Sequence, residues 1–513
     1  MRHPSLVNTL LTIGFITVFY GCASSSSQTP MPTAPPIKPT SVEPAEAQWQ
    51  PTPDAAFRHQ APAPGAEAPW EAPIPLETRL SNGMRVWFIA RPALPIVAIQ
   101  VTSPRGADQQ PSPGMGAFLG AMLEQGTTTR NALQVSDAYL DIGASHGAWV
   151  DWDSTNAWIQ VLPQHLDRGI EILADVFRNP SFAAEEVQRV RSQTIASIRQ
   201  QNDQPRVLVD NAIARTLFEG SPYGESLLGT ESSVASITSQ SLKALYRATV
   251  APAESFVVVV GNTTQSEVTA SLEKAFGNWK SVAPARQRLR PASRQSKKIR
   301  VIDRKGSAQS TLAVTTVGVS RTTKDFDAVL IGNTILGGMF SSRLNLNLRE
   351  KHAFTYGAYS MFDMRRGPGP FVATAAVDTP NTGAAIKEIL NEINTFRSSR
   401  VTEEELRLAL GRQVKSLPGR FQSATTTARS IAALGVFGLA NDEYRQRPGR
   451  LERVTPAQVQ EMASNRLNPN ELQIIVAGDL SVIRPQLMAL AYGVIEIIDP
   501  STSKVLETIA DSP

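Results

Sequence analysis

Between Thr78 and Ile89 two strand-like stretches flank Ser81-Asn82-Gly83, the second ending in the apolar run Val86-Trp-Phe-Ile89. That pattern predicts two strands joined by a tight turn. Residues 95–103 and 149–162 also read as strands. Apolar residues spaced every three to four positions predict helices over 115–124, 134–140 and 165–177.

Further along, one unit is written twice. Ile237 opens a capped helical segment that reaches Pro252 and then the apolar run Phe256-Val-Val-Val-Val-Gly-Asn262. Val454 opens a second such segment, which reaches Pro469 and then Leu472-Gln-Ile-Ile-Val-Ala-Gly-Asp479 with the same gaps. Each reads as helix, proline turn, and strand ending at glycine. The lead-in recurs as well: Phe182-Ala-Ala-Glu-Glu-Val187 and Val401-Thr-Glu-Glu-Glu-Leu406 both start long helical patterns. The expected fold is α+β, with two homologous domains each built of a sheet and covering helices. Their expected bounds are 74–285 and 301–495, joined by a basic linker over 286–300 and followed by a tail over 496–513.

Composition changes the picture mostly at the ends. Arg2 and His3 precede an apolar run from Leu10 to Tyr20. That run is shorter than the ~20 residues needed to span a bilayer, so residues 1–21 read as a cleaved export signal. Gly21-Cys22 is similar to the bacterial lipoprotein signal, in which the cysteine is acylated; an ordinary signal with an incidental cysteine is the alternative. With Ala23 following, the lipoprotein reading implies the outer membrane and a protein facing the periplasm. Cys22 is the only cysteine, so the mature chain can form no internal disulfide. Residues 22–73 are rich in Ser, Pro and Ala and read as a tether.

The net charge of +4 over 513 residues argues against dedicated nucleic-acid binding. The one local excess is 286–300, with Arg288, Arg290, Arg294, Lys297 and Lys298 and no acidic residue. A solvated linker is the plain reading, and contact with anionic lipid headgroups or lipopolysaccharide the sharper one.

The segment carrying most information is Gly114-Met-Gly-Ala-Phe-Leu-Gly-Ala-Met-Leu-Glu-Gln-Gly-Thr127. It resembles the zinc helix of the insulinase/pitrilysin peptidases, G-x-x-H-x-x-E-H-x-x-x-x-G-T. The glycines and threonine stay in register, but the two histidines are Ala117 and Ala121 and the glutamate is Gly120. Histidines at i and i+4 share one helix face and hold Zn²⁺, with the glutamate as base on the metal-bound water. The third ligand of the family is a Glu in E-I-x-x-x-x-D-x-P. Here the matching stretch is Ser197-Ile-Arg-Gln-Gln-Asn-Asp-Gln-Pro205, so Ser197 stands at the ligand position. The histidines are His3, His59, His146, His165 and His352; no two of the last three have ligand spacing, and Glu124, just beyond the motif, would need partners the chain does not offer. No G-x-S-x-G elbow suggests a serine nucleophile.

The second half retains more. Leu336-Gly-Gly-Met-Phe-Ser-Ser-Arg-Leu344 and Leu348-Arg-Glu-Lys-His-Ala-Phe-Thr-Tyr-Gly357 look like the C-terminal-domain signature of the same family. The resemblance implies that Arg349 and Tyr356 bind substrate backbone and steady the oxyanion at a zinc site in the other domain. Ala353 stands where the family often has Gly. Some bacterial members divide the work between a zinc-bearing chain and one that keeps only the Arg/Tyr pair, and the two close like a clamshell around a peptide. This chain resembles the second kind. The expectation is a non-catalytic subunit that binds no metal, completes the chamber of a homologous H-x-x-E-H partner carrying the zinc, and is held at the membrane by its lipid. A peptide-binding or scaffold lipoprotein without peptidase role is the alternative.

Overall fold

The computed structural model describes residues 55–60, 62, 65, 70–289, 292 and 296–509. Cys22, the signal over 1–21, nearly all of the tether, Arg290 and Arg294 lie outside the described residues. Residues from Pro69 onward form one compact unit.

Thirteen strands build two sheets. The first holds β1 (Leu76–Arg79), β2 (Arg85–Ala90), β3 (Val97–Ser103), β4 (Ser145–Val150), β5 (Thr155–Val161) and β6 (Phe256–Gly261), in the order β1-β2-β6-β3-β5-β4. The second holds β7 (Lys298–Asp303), β8 (Gln309–Val317), β9 (Ala358–Phe362), β10 (Pro370–Asp378), β11 (Gln473–Gly478), β12 (Ile495–Ile498) and β13 (Val505–Ile509), in the order β13-β12-β7-β11-β8-β10-β9. The repeat read from the sequence is a repeat of topology. In each half a central strand, β6 or β11, pairs parallel on one side and antiparallel on the other, and a hairpin, β4–β5 or β9–β10, ends the sheet.

Helices α1 (Met115–Met122), α2 (Ala132–Leu140), α3 (Leu166–Arg178), α4 (Ala184–Asn202), α5 (Pro205–Leu217), α6 (Ser239–Thr249) and α7 (Gln265–Phe276) belong to the first half. The second half contributes α8 (Phe326–Asn333), α9 (Thr382–Ser398), α10 (Glu403–Lys415), α11 (Ala424–Phe437) and α12 (Pro456–Arg466). Each sheet buries one face under its own helices: α2, α3 and α7 in the first half, α8, α9 and α12 in the second. The opposite faces are covered reciprocally. Leu208, Val209, Ala212 and Ile213 of α5 pack on Ile302, Ala313, Val372 and Ile475 of the second sheet. Ala428, Ile431 and Ala432 of α11 pack on Trp87, Ala98, Phe256 and Val258 of the first. A sheet that is apolar on both faces needs two covers, and each half lends one to the other.

Four sequence expectations need correction. The strand expected over 149–162 is a hairpin, because the Asp151 carboxylate accepts from the amides of Asp153 (2.9 Å) and Ser154 (2.7 Å) and turns the chain. The expected tail over 496–513 supplies β12 and β13: Ile495 and Ile497 join the core, and Glu496 pairs with Arg300 at 3.0 Å. The expected linker over 286–300 ends in β7, and its Arg286 lies 3.6 Å from buried Asp108. The tether ends before residue 73: Ala72 is buried, its carbonyl accepts from Arg445 at 3.1 Å, and Trp70 packs on Phe421.

Candidate functional site

Helix α1 carries the degenerate motif. Gly114 begins it with φ 83°, a left-handed cap that its Cβ-less backbone permits. Phe118, Leu119 and Met122 face Val187, Val190 and Ile198 of α4, so the motif helix and the helix bearing Ser197 share one core. Ala117 is half-buried, Ala121 and Ser197 are exposed, and Gly120 is buried. A Cβ at Gly120 would lie 2.6 Å from the Val150 amide nitrogen of β4. The helix thus rests directly on the strand at the position where the family has its base, and a glutamate there would displace one of them.

Zinc does not fit these residues. Alanine and glycine offer no donor, Ser197 offers only a hydroxyl, and among the described residues no group of three or more His, Cys, Asp or Glu is placed to hold a metal ion.

Glu124, one turn past Ala121, does have a partner that sequence spacing hid. Its carboxylate lies 2.7 Å from Nδ1 of His146 on β4, whose ring stacks on Tyr139 at 3.7 Å. Burial and the Glu124 charge push the Tyr139 phenol well above its ordinary range. A carboxylate on Nδ1 leaves Nε2 as the free nitrogen. A carboxylate and an imidazole by themselves fall short of a catalytic set. Only pairing of β4 with β5 brings His146 to α1, so spacing along the chain gave no signal.

In the second half, residues from Thr334 to Gly338 and from Leu346 to Lys351 form wide helical turns. A Cβ at Gly337 would overlap the Ser360 amide of β9, the counterpart of Gly120 on β4. Asn333 and Ser360 exchange two hydrogen bonds, 2.9 and 3.1 Å, and Asn345 accepts from the Ala358 amide at 3.1 Å. These buried polar contacts fix β9 to the turn that carries Arg349. The turn ends at Ala353, whose φ is 53°, a conformation suited to glycine. Arg349 lies over the Phe340 ring at 4.5 Å and 3.6 Å from Glu350. Tyr356 is 93 % exposed. Phe340, Leu346, Tyr359 and Met361 stand exposed as well. Arg206 of α5 donates to the Tyr359 hydroxyl at 2.7 Å, tying the first half to β9.

The tips of both edge hairpins meet in a buried polar joint. Asp153 accepts from the Arg366 amide at 2.9 Å and the Tyr223 hydroxyl at 3.1 Å. Arg366 also donates to Pro104 and Val436 carbonyls. Burial raises the Asp153 pKa to about 6, and raises that of Asp108 nearby.

Residues 94–231 match the family model described as insulinase (peptidase family M16), and residues 236–411 match the one described as peptidase M16 inactive domain. The chain belongs to the M16 family. The second match begins at α6 and includes β6, which nevertheless lies inside the first sheet. An uncharacterized zinc protease of Mycobacterium leprae is 27 % identical over 411 residues, 76 % of this chain and 89 % of that protein. A crystal structure of a peptidase M16 inactive domain from Pseudomonas fluorescens has a TM-score of 0.74 at 24 % identity, covering 79 % of this chain and 97 % of its own. A protease from Helicobacter pylori has a TM-score of 0.73 at 18 % identity, covering 79 % and 100 %. The two solved structures share the M16 fold of two sheets with helices. Within that family this chain lacks the metal donors.

Proposed function

We propose that this chain is the non-catalytic, substrate-positioning subunit of a zinc metalloendopeptidase of the bacterial cell envelope. The observation that carries the reading is an asymmetry between the halves. The first has alanines for ligands and its helix seated on β4 through Gly120. The second keeps Arg349 and Tyr356 on a turn braced by buried polar contacts, with the phenol open to solvent.

In this reading the partner is a homologous chain bearing H-x-x-E-H, and the zinc belongs to that chain. Arg349 and Tyr356 are both donors and hold the peptide's backbone oxygen atoms where charge develops. The two chains close as a clamshell, and the peptide lies as an added strand on a sheet edge. Acylated Cys22 holds the complex at the periplasmic face of the outer membrane. Co-expression with a zinc-bearing homologue tests this. Peptide hydrolysis by the mixture, absent from either chain alone, is expected. Hydrolysis equally fast with Arg349→Ala and Tyr356→Phe combined overturns the assigned role.

A further inference from the structure

Helix α11 packs on β3 and β6 of the first sheet and leaves part of the outer hairpin β4–β5 uncovered on that face. Beside it lies a cavity of about 170 Å³ lined by Trp149, Trp158, Gln100, Thr425, Thr426 and Arg429. Pockets for whole small molecules run from about 300 to 1,000 Å³, so this space suits one side chain. It shares Gln100, Trp149 and Arg429 with a neighbouring cleft of about 460 Å³, which gives a connected chain somewhere to run.

The walls are specific. Trp158 stands opposite Gly147 of the edge strand β4, and a Cβ at 147 would lie 2.8 Å from its Nε1. Glycine there lets the indole lie across the outermost strand. Trp149 projects on the same face, two residues along. Arg429, supplied by the other half of the chain through α11, lies over it at 4.8 Å. Among the described residues neither indole N–H has an acceptor, Arg429 has no carboxylate at ion-pair distance, and none of the residues lining the smaller cavity is acidic. Arg365, across the adjoining cleft, is paired with Asp363 at 2.6 Å.

The cavity therefore presents two apolar walls and a cation with no carboxylate at ion-pair distance, although Asp151, Asp153 and Asp363 line the cleft beside it. We propose that it captures a carboxylate-bearing apolar residue of a peptide, the carboxylate on Arg429 and the apolar part against the two indoles. Peptide is the class because the outer edge of β4 has no strand partner in the sheet. An extended chain added there sets alternate side chains onto this face. The carboxylate comes either from a C-terminal residue or from an acidic side chain beside an apolar one. The inference rests on the proposed function for the peptide nature of the ligand and for its addition as a strand on a sheet edge, and goes beyond it in the side chain that Arg429 selects.

Binding is measured by calorimetry on the mature chain alone, so the outcome does not depend on a zinc-bearing partner. The probes are acetyl-Ala-Ala-Ala-Phe with a free C-terminus, its C-terminal amide, and acetyl-Ala-Glu-Phe-Ala amide. The free acid is expected to bind at least tenfold tighter than its amide. Arg429→Gln, at an exposed position, is expected to abolish that difference and leave the amide unchanged. Trp158→Ala is expected to weaken both, and Trp158→Phe to restore part of the loss if the alanine variant unfolds. Preference for the glutamate probe over the free acid, with the same loss in Arg429→Gln, assigns the acidic side chain as the source. Equal binding of all three probes, binding of none, or an Arg429→Gln protein that still prefers the acid overturns the proposal.

Discussion

The two halves set the same device at the same place and use it differently. In each, a glycine on the helical segment before the edge hairpin lets backbone meet backbone: Gly120 on β4, Gly337 on β9. In the first half that contact ends a helix with nothing to offer but methyl groups. In the second it braces a turn that leaves Arg349 and Tyr356 at the surface. The architecture of the site is thus independent of its chemistry. Packing survives the loss of ligands, because the close approach needs only small residues, whereas metal binding needs specific donors.

The sharpest way to break the comparison is the chemical one. Arg349→Ala in the mixed complex is expected to lower turnover by about 10²–10³, the usual cost of one oxyanion donor, with the complex still co-purifying. An unchanged rate would make the second half as silent as the first.

The packing side is probed by Gly120→Glu. With only 2.6 Å between a Cβ there and the Val150 amide, a loss of about 3 kcal/mol or more is expected on denaturant unfolding. Restoring the family's residues at 117, 120, 121 and 197 together should consequently give a destabilised chain instead of a peptidase. Full stability of Gly120→Glu would show that the helix is free to move off β4.

At the joint between the halves the test is pH. Asp153 has its folded pKa raised to about 6 by burial. Its contribution to stability is therefore fully present below its unfolded pKa near 3.8 and is lost as pH rises through 6. Asp153→Asn keeps an acceptor for the Arg366 amide without the buried charge. Stability at pH 7.5 relative to pH 4.5 is expected to improve by roughly 2 kcal/mol in the variant compared with the parent, by urea unfolding. No difference in slope would mean the carboxylate is better solvated than its 4 % exposure implies.

The smallest effect is at Ala353. An alanine at φ 53° carries about 1 kcal/mol of backbone strain, so Ala353→Gly is expected to raise the melting temperature slightly without altering binding. A fall would mean the side chain's contacts outweigh the strain.

Much of the architecture was legible in the chain. The duplication showed in the spacing of Pro252 and Pro469 and of the two apolar runs, because each central strand is buried on both faces and must read as continuous Val, Ile or Ala. The motif helix and the Arg/Tyr turn were legible through their resemblance to the family's motifs, in which the glycines stay in register. The turn at Asp151, the strands at Ile495 and Val505, and the docking of Ala72 were not. Asp151, Asp153 and Ser154 sit between Trp149-Val150 and the apolar-rich stretch from Ala157 to Leu162, which together read as one strand, and β12 pairs with a strand nearly two hundred residues upstream, at Ile299 and Val301. The His146–Glu124 pair was invisible for the same reason.

The sequence by itself determined the repeat, the α+β class, the family likeness, and the absence of zinc ligands at Ala117, Ala121 and Ser197 and of the base at Gly120, since these depend on residue type and local spacing. Only the tertiary structure decided that α5 and α11 are exchanged between the sheets, that Gly120 is a seat on β4, and that Arg429 reaches Trp149. Those facts depend on which faces are left uncovered once both sheets exist, and no local pattern carries that information.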